Sequence, residues 1–147
     1  MYLHLSETAK DVLKLAKRMA ADDHQEYVGT EHVLLAILDN GLGEGAEVLQ
    51  DLAVTLAQAQ ERVAQLSRRS LEETWVFGRL PGTPHFKQVL AYAIEEAERV
   101  KDKKVGTEYL LLGLLRERGC TAERAMRSLR VTLDTARQLV AKQHGTV

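Results

Sequence analysis

A chain of 147 residues is long enough to bury on the order of 70% of its unfolded surface in one core. A net charge of −1, with charged residues at 28%, argues against bulk affinity for nucleic acid or membranes. The single cysteine, Cys120, excludes an internal disulfide and makes a cysteine-based metal site a poor reading. No apolar run has the length of a membrane span, and Met1 to Ser6 lack the basic-then-apolar order of a secretory signal, so cytoplasm is the expected compartment.

In chain order, the apolar spacing predicts helices throughout. Ser6 is placed to cap a helix running to about Asp22, with Val12, Leu13, Ala16, Met19 and Ala20 recurring three and four apart. After a loop from Asp23 to Gly29, Thr30 is expected to cap a helix to Asn40, stopped by Gly41 and Gly43. A short helix covers about Glu44 to Leu52. Thr55, with Gln58 three residues on, has capping-box spacing and opens a fourth helix to about Ser67. Residues 64–82 form a connection in which Ser70 could begin one further helical turn; it holds Trp75 and Phe77, which either pack onto the body or contact a partner. Thr83 then caps a helix with Pro84 at its first position, where a missing N–H costs nothing. Thr107, Thr121 and Thr132 head three more.

These eight predicted helices are four helices written twice. Residues Ser6 to Val63 align with Thr83 to Val140 at a constant offset and without a gap, and about 18 of the 58 pairs are identical. The fold class is therefore all-α: two tandem four-helix repeats, about 6–63 and 83–140, packed around a shared core as one domain over 1–147. Matched apolar pairs such as Leu34/Leu111, Leu49/Met126, Leu52/Leu129, Val54/Val131 and Val63/Val140 read as packing residues. Charge is not duplicated. The first repeat has 5 Lys/Arg against 11 Asp/Glu, the second 11 against 8. Equivalent sites need not have equal affinity.

The strongest identity is Val28-Gly29-Thr30-Glu31 against Val105-Gly106-Thr107-Glu108. One explanation is structural: the threonine caps a helix, and the glutamate favours the positive end of its dipole. The other is functional. Each glutamate faces outward and receives a cation, a guanidinium fitting best because a carboxylate accepts two parallel N–H bonds from it.

The two blocks Val-Gly-Thr-Glu-His-Val-Leu-Leu and Val-Gly-Thr-Glu-Tyr-Leu-Leu-Leu, with the openings Leu5-Ser6-Glu7-Thr8-Ala9 and Gly82-Thr83-Pro84-His85-Phe86, resemble the paired repeats of the Clp N-terminal domain, especially the ClpC type. The resemblance covers about residues 2 to 142. It implies two four-helix repeats related by a pseudo-twofold axis. It also implies a role in receiving substrates or adaptors for a Clp ATPase–protease, which with no catalytic set in view makes the chain a non-enzymatic binding module in expectation. In some ClpC-type domains it implies two phosphoarginine pockets, which here would use Glu31 and Glu108 with Ser6 and Thr83 at the helix starts. Departures are Thr8 and His85 where the family often has a basic residue, and Tyr109 in place of the motif histidine; Lys10 or Lys87 could supply the missing positive charge. No Gly-x-x-x-x-Gly-Lys-Ser/Thr loop occurs, so the chain lacks the ATP-hydrolysing part of a Clp ATPase. It is either the N-terminal part of one or a free-standing protein, acting as an accessory subunit or a decoy; one duplicated body needs no second chain, so a monomer is expected.

Two rival readings remain. The same fold could sequester a peptide antibiotic or small molecule at an apolar surface near Tyr2 and Leu3. A helical DNA-binding protein would use Arg116, Arg118, Arg124, Arg127 and Arg130, though Glu117 and Glu123 interrupt that cluster. The five histidines are scattered, so no metal site and no cofactor are expected. Cys120 stands at a predicted helix start that would somewhat stabilise a thiolate, with a buried, inert thiol as the alternative. No catalytic set is visible in the spacing.

Overall fold

The computed structural model describes residues 4–24, 28–77 and 83–145, and the side chains of these except in 67–84. Tyr2 lies outside that range, as do the side chains of Trp75, Phe77 and Thr83. Among the described residues eight helices follow one another: α1 (Glu7–Asp22), α2 (Thr30–Asn40), α3 (Glu44–Asp51), α4 (Leu56–Phe77), α5 (Thr83–Arg99), α6 (Thr107–Arg116), α7 (Thr121–Ser128) and α8 (Leu133–Gln143).

Local chemistry explains several helix starts. The Ser6 hydroxyl accepts the Ala9 N–H at 3.1 Å, and Thr132 does the same for Thr135 at 3.2 Å. Thr55 and Gln58 close a reciprocal capping box at 3.0 and 3.2 Å. Gly41 ends α2 in the left-handed conformation, φ 69°. α5 begins at Thr83 itself, one residue earlier than a Thr83 cap implies. The fourth helix is longer than its sequence signals suggest, running on to Phe77 rather than ending near Ser67. The reason is compositional: from Ala64 to Phe77 there is no Gly or Pro, and most residues are good helix formers.

The duplication is visible in the backbone. Among the described residues, the four non-glycine positions with positive φ form two equivalent pairs, His24 with Lys101 (59° and 60°) and Ala53 with Arg130 (61° and 66°). The side chains differ within each pair, so the shared turn geometry, not the residue type, has been kept.

Two threonines join the halves. Thr30 and Thr107 sit at the first helical position, with Gly29 and Gly106 as the N-caps. Their hydroxyls are thereby free of local capping. Thr30 Oγ1 accepts the Ala122 N–H of α7 at 3.3 Å, and Thr107 Oγ1 accepts the Gly45 N–H of α3 at 2.9 Å. Each repeat thus caps the third helix of the other. Such reciprocity (site to partner site, and the reverse) is the signature of twofold symmetry, here within one chain.

The core is one continuous cluster drawn from both repeats, including Leu34, Leu49, Leu111, Leu114, Met126, Val54, Val131, Val63 and Val140. Leu52 and Leu129 are only partly buried at its margin. α6 is buried along its whole length from Thr107 to Leu115. Gly113 lets α6 approach α5 closely, because a Cβ there would meet the Val89 carbonyl oxygen at 2.5 Å.

Candidate functional site

The two Gly-Thr-Glu segments have the same local build. In each, the glutamate carboxylate folds back over the glycine two residues before it, and a Cβ on Gly29 or Gly106 would collide with Oε1 of Glu31 or Glu108. The glycines have φ of −95° and −88°, which any residue adopts. They are required for the room they leave, not for their backbone freedom.

Beyond that the copies diverge. At the first, the Glu31 side chain is 21% exposed. Its neighbour His32 accepts the Gly29 N–H on Nδ1 at 2.9 Å, so the proton resides on Nε2, which faces Asp23 Oδ2 at 3.3 Å. Nδ1 also lies 3.6 Å from Glu31 Oε1, but a ring nitrogen already used as an acceptor offers that oxygen no proton. Glu31 therefore keeps its acceptor capacity at the positive end of α2.

At the second copy the expectation of an outward-facing acid fails. The Glu108 side chain is 3% exposed. His144, just beyond α8, places Nε2 at 2.8 Å from Glu108 Oε2 and stacks its ring on Tyr109 with centroids 6.0 Å apart. Glu108 Oε1 is buried and has no hydrogen-bond partner among the described residues. Burial pushes the Glu108 carboxyl above its ordinary value, against the lowering influence of His144, with the Glu44 charge adding to the rise. Tyr109 replaces the motif histidine and donates its hydroxyl to Asp102 Oδ2 at 2.8 Å; burial and that bond push the phenol above its usual range. Neither Asp102 nor His144 stood out in the sequence, because they lie 6 and 36 positions from Glu108 with no shared motif.

The other candidates are scattered around this frame. Ser6 caps α1, and its N–H bonds to the Val105 carbonyl at 3.0 Å within a short bridge between Leu5 and Val105. The start of the first repeat thus runs beside the approach to Glu108, not Glu31. Lys10 is half exposed and pairs with Glu7 at 3.4 Å; His85 is similarly exposed and meets Glu117 Oε2 at 3.1 Å; Lys87 is exposed.

A cleft of about 530 Å³ opens beside Glu108, between the end of α5, the loop after it and α8; its lining includes Glu96, Arg99, Lys101, Asp102, Tyr109 and His144. Glu96 is 2% exposed and takes a forked pair of bonds from Arg137 at 3.1 and 2.8 Å, with Arg116 at 3.0 Å. Burial alone would raise its carboxyl, but Arg137, then Arg99 and Arg116, overcome this and hold it below the ordinary range. Several second-repeat arginines are thus committed to carboxylates, Arg127 to Glu123 at 2.7 Å among them. That weakens the DNA-binding alternative. Cys120 caps α7, accepting the Glu123 N–H, but it is buried and its thiol is pushed up, which overrides the helix-start effect.

The fold and its reciprocal helix caps define a class: an all-α domain of two interlocked four-helix repeats. The Clp repeat (R) N-terminal domain family matches residues 4–129 and 82–146, and the chain belongs to that family. It is 35% identical over 146 residues to the negative regulator of genetic competence ClpC/MecB of Bacillus subtilis, and 35% identical over 145 residues to a Clp protease ATP-binding subunit ClpA homolog of Cyanidium caldarium. Both matches cover 99% of this chain but only 18% and 17% of those relatives. The fold is similar to the N-terminal domain of the caseinolytic-protease-associated chaperone ClpD of Arabidopsis thaliana, with a TM-score of 0.70 at 14% identity, covering 97% of this chain and 95% of that one. No helix among the described residues is long and apolar enough to cross a membrane.

Proposed function

We propose that the chain is a non-enzymatic docking module that recruits, or competes for, substrates or adaptors of a Clp-type ATPase–protease, and that Glu31 receives a guanidinium there, phosphoarginine being the ligand of first choice. The observation that carries this is the Glu31 carboxylate itself. It stands partly exposed at the positive end of α2, and the ring nitrogen 3.6 Å from it is already engaged by Gly29. A guanidinium would meet two acceptor oxygens, and its phosphoryl group would sit near a helix start suited to an anion. The family and the ATP-binding Clp subunits among its relatives support the choice of partner.

The two acidic tips would not be equivalent. Glu108 is engaged by His144, so Glu31 carries the recognition. Titrating free phosphoarginine by calorimetry should give binding that Glu31→Ala abolishes. No heat at millimolar ligand removes phosphoarginine from the proposal, and undiminished binding in Glu31→Ala removes Glu31. Pull-downs from native lysate with wild type and Glu31→Ala test the wider role. A Clp ATPase, an adaptor or client chains should be captured by the wild type and lost with the variant.

A further inference from the structure

We infer that Asp102, Glu108 and His144 form a binding site for a divalent transition-metal ion, zinc being the best match, in the second repeat only. One ligand atom from each lies within 4.8 Å of the others. They come from three separate places: the loop after α5, the first turn of α6 and the end of α8. The inference is independent of phosphoarginine recognition at Glu31.

A nearly fully buried carboxylate needs its acceptors satisfied, and beyond its own backbone N–H the Glu108 carboxylate has only His144, on Oε2, with Oε1 buried and reached by no other described residue. Negative charge also accumulates: Asp102 lies alongside, and the Glu44 charge bears on Glu108 as well. One imidazole cannot offset that alone. A nitrogen with two carboxylate oxygens is a donor set for zinc, whereas magnesium and calcium favour all-oxygen sites. Three protein ligands leave a fourth position for water.

The supporting groups are in place. Asp102 is held by the Tyr109 hydroxyl at 2.8 Å and by the Lys104 N–H at 3.1 Å, leaving lone pairs directed elsewhere. Glu108 Oε2 and His144 Nε2 are now 2.8 Å apart, while two ligands on one tetrahedral ion stand about 3.3 Å apart for bonds near 2.0 Å. The required half-ångström falls to His144, which caps the last helix and is one-third exposed. Opposing this are the positive end of α6 and the nearby Lys101 in the same cleft. A monovalent cation would not overcome them; a divalent ion bonded directly to three ligands would. In the first repeat the equivalent positions hold Gln25, Glu31 and Ser67, so the set is not duplicated.

Equilibrium dialysis of the whole chain against zinc chloride, followed by elemental analysis, tests the site. One zinc per chain is expected. Asp102→Asn and His144→Ala should each bind at least about tenfold more weakly, the loss caused even by removing a group that only orients a ligand. His24→Ala and His85→Ala, at exposed histidines elsewhere, should bind as the wild type does. Circular dichroism checks that each variant is folded, and cobalt(II) should give the visible absorption of a four-coordinate ion in the wild type and the two histidine controls but not in Asp102→Asn or His144→Ala. Substoichiometric zinc in the wild type, or zinc kept equally by His144→Ala and Asp102→Asn, overturns the inference. Loss of zinc in the His24→Ala or His85→Ala controls would overturn it too.

Discussion

Replacing Gly29 and Gly106 by alanine makes the same chemical change at equivalent positions, and the two variants should behave differently. In each case the new methyl occupies the space of a glutamate carboxylate. At Gly29 the displaced group is the end of a partly exposed side chain, free to swing into water. Alanine fits the backbone there, so Gly29→Ala should be neutral or up to about 1 kcal/mol more stable through the unfolded chain. At Gly106 the displaced Glu108 carboxylate is sealed in and must leave His144. Losing a hydrogen bond to a charged group costs about 1.5–3 kcal/mol. His144 is one-third exposed, so the lower half of that range applies. Subtracting the same unfolded-chain gain leaves a net loss of about 0.5–2 kcal/mol, or about 1–8 °C in Tm for a domain of this size. Urea titrations followed by circular dichroism would measure both. In a Glu108→Ala background the Gly106→Ala penalty should vanish, since nothing remains to displace. If the two single variants unfold together, or if the penalty survives in that background, the account of these glycines is wrong.

Two further outcomes follow from the packing. Thr30→Val and Thr107→Val keep the shape but each remove a helix cap on the opposite repeat. Each should cost about 1 kcal/mol by denaturant melts, with near-equal losses expected from the symmetry. Glu96→Gln should cost about 2–4 kcal/mol at neutral pH by stranding Arg137 and Arg116, discounted because both arginines are partly exposed. Its folded carboxyl is held below the ordinary range. The unfolded state therefore binds more protons in that window, and the contribution is present above the unfolded value near pH 4.3 and is lost as pH falls through the depressed one. The gap between wild type and Glu96→Gln should shrink on acidification below about pH 4; a constant gap down to pH 2 refutes the sign.

Much of this was legible in the sequence because the signals are local. The caps at Ser6, Thr55 and Thr132 join atoms three residues apart, and the buried faces repeat at helical spacing, so both can be read along the chain. The end of the fourth helix was misplaced because a serine looks like punctuation but does not stop a helix without Gly or Pro behind it. Thr30 and Thr107 looked like local caps; their hydroxyls instead reach helices 92 and 62 residues away.

The sequence alone determined the duplication, the all-helical class and the family, because identical residues at a constant offset and 3.6-residue periodicity need no knowledge of what touches what. Only the tertiary structure decided that Glu31 stays partly open to water while Glu108 is closed in, with His144 and Asp102 beside it. Whether a charge is solvated depends on neighbours from distant parts of the chain, and two copies of one motif carry no information about which of them the end of the last helix will cover.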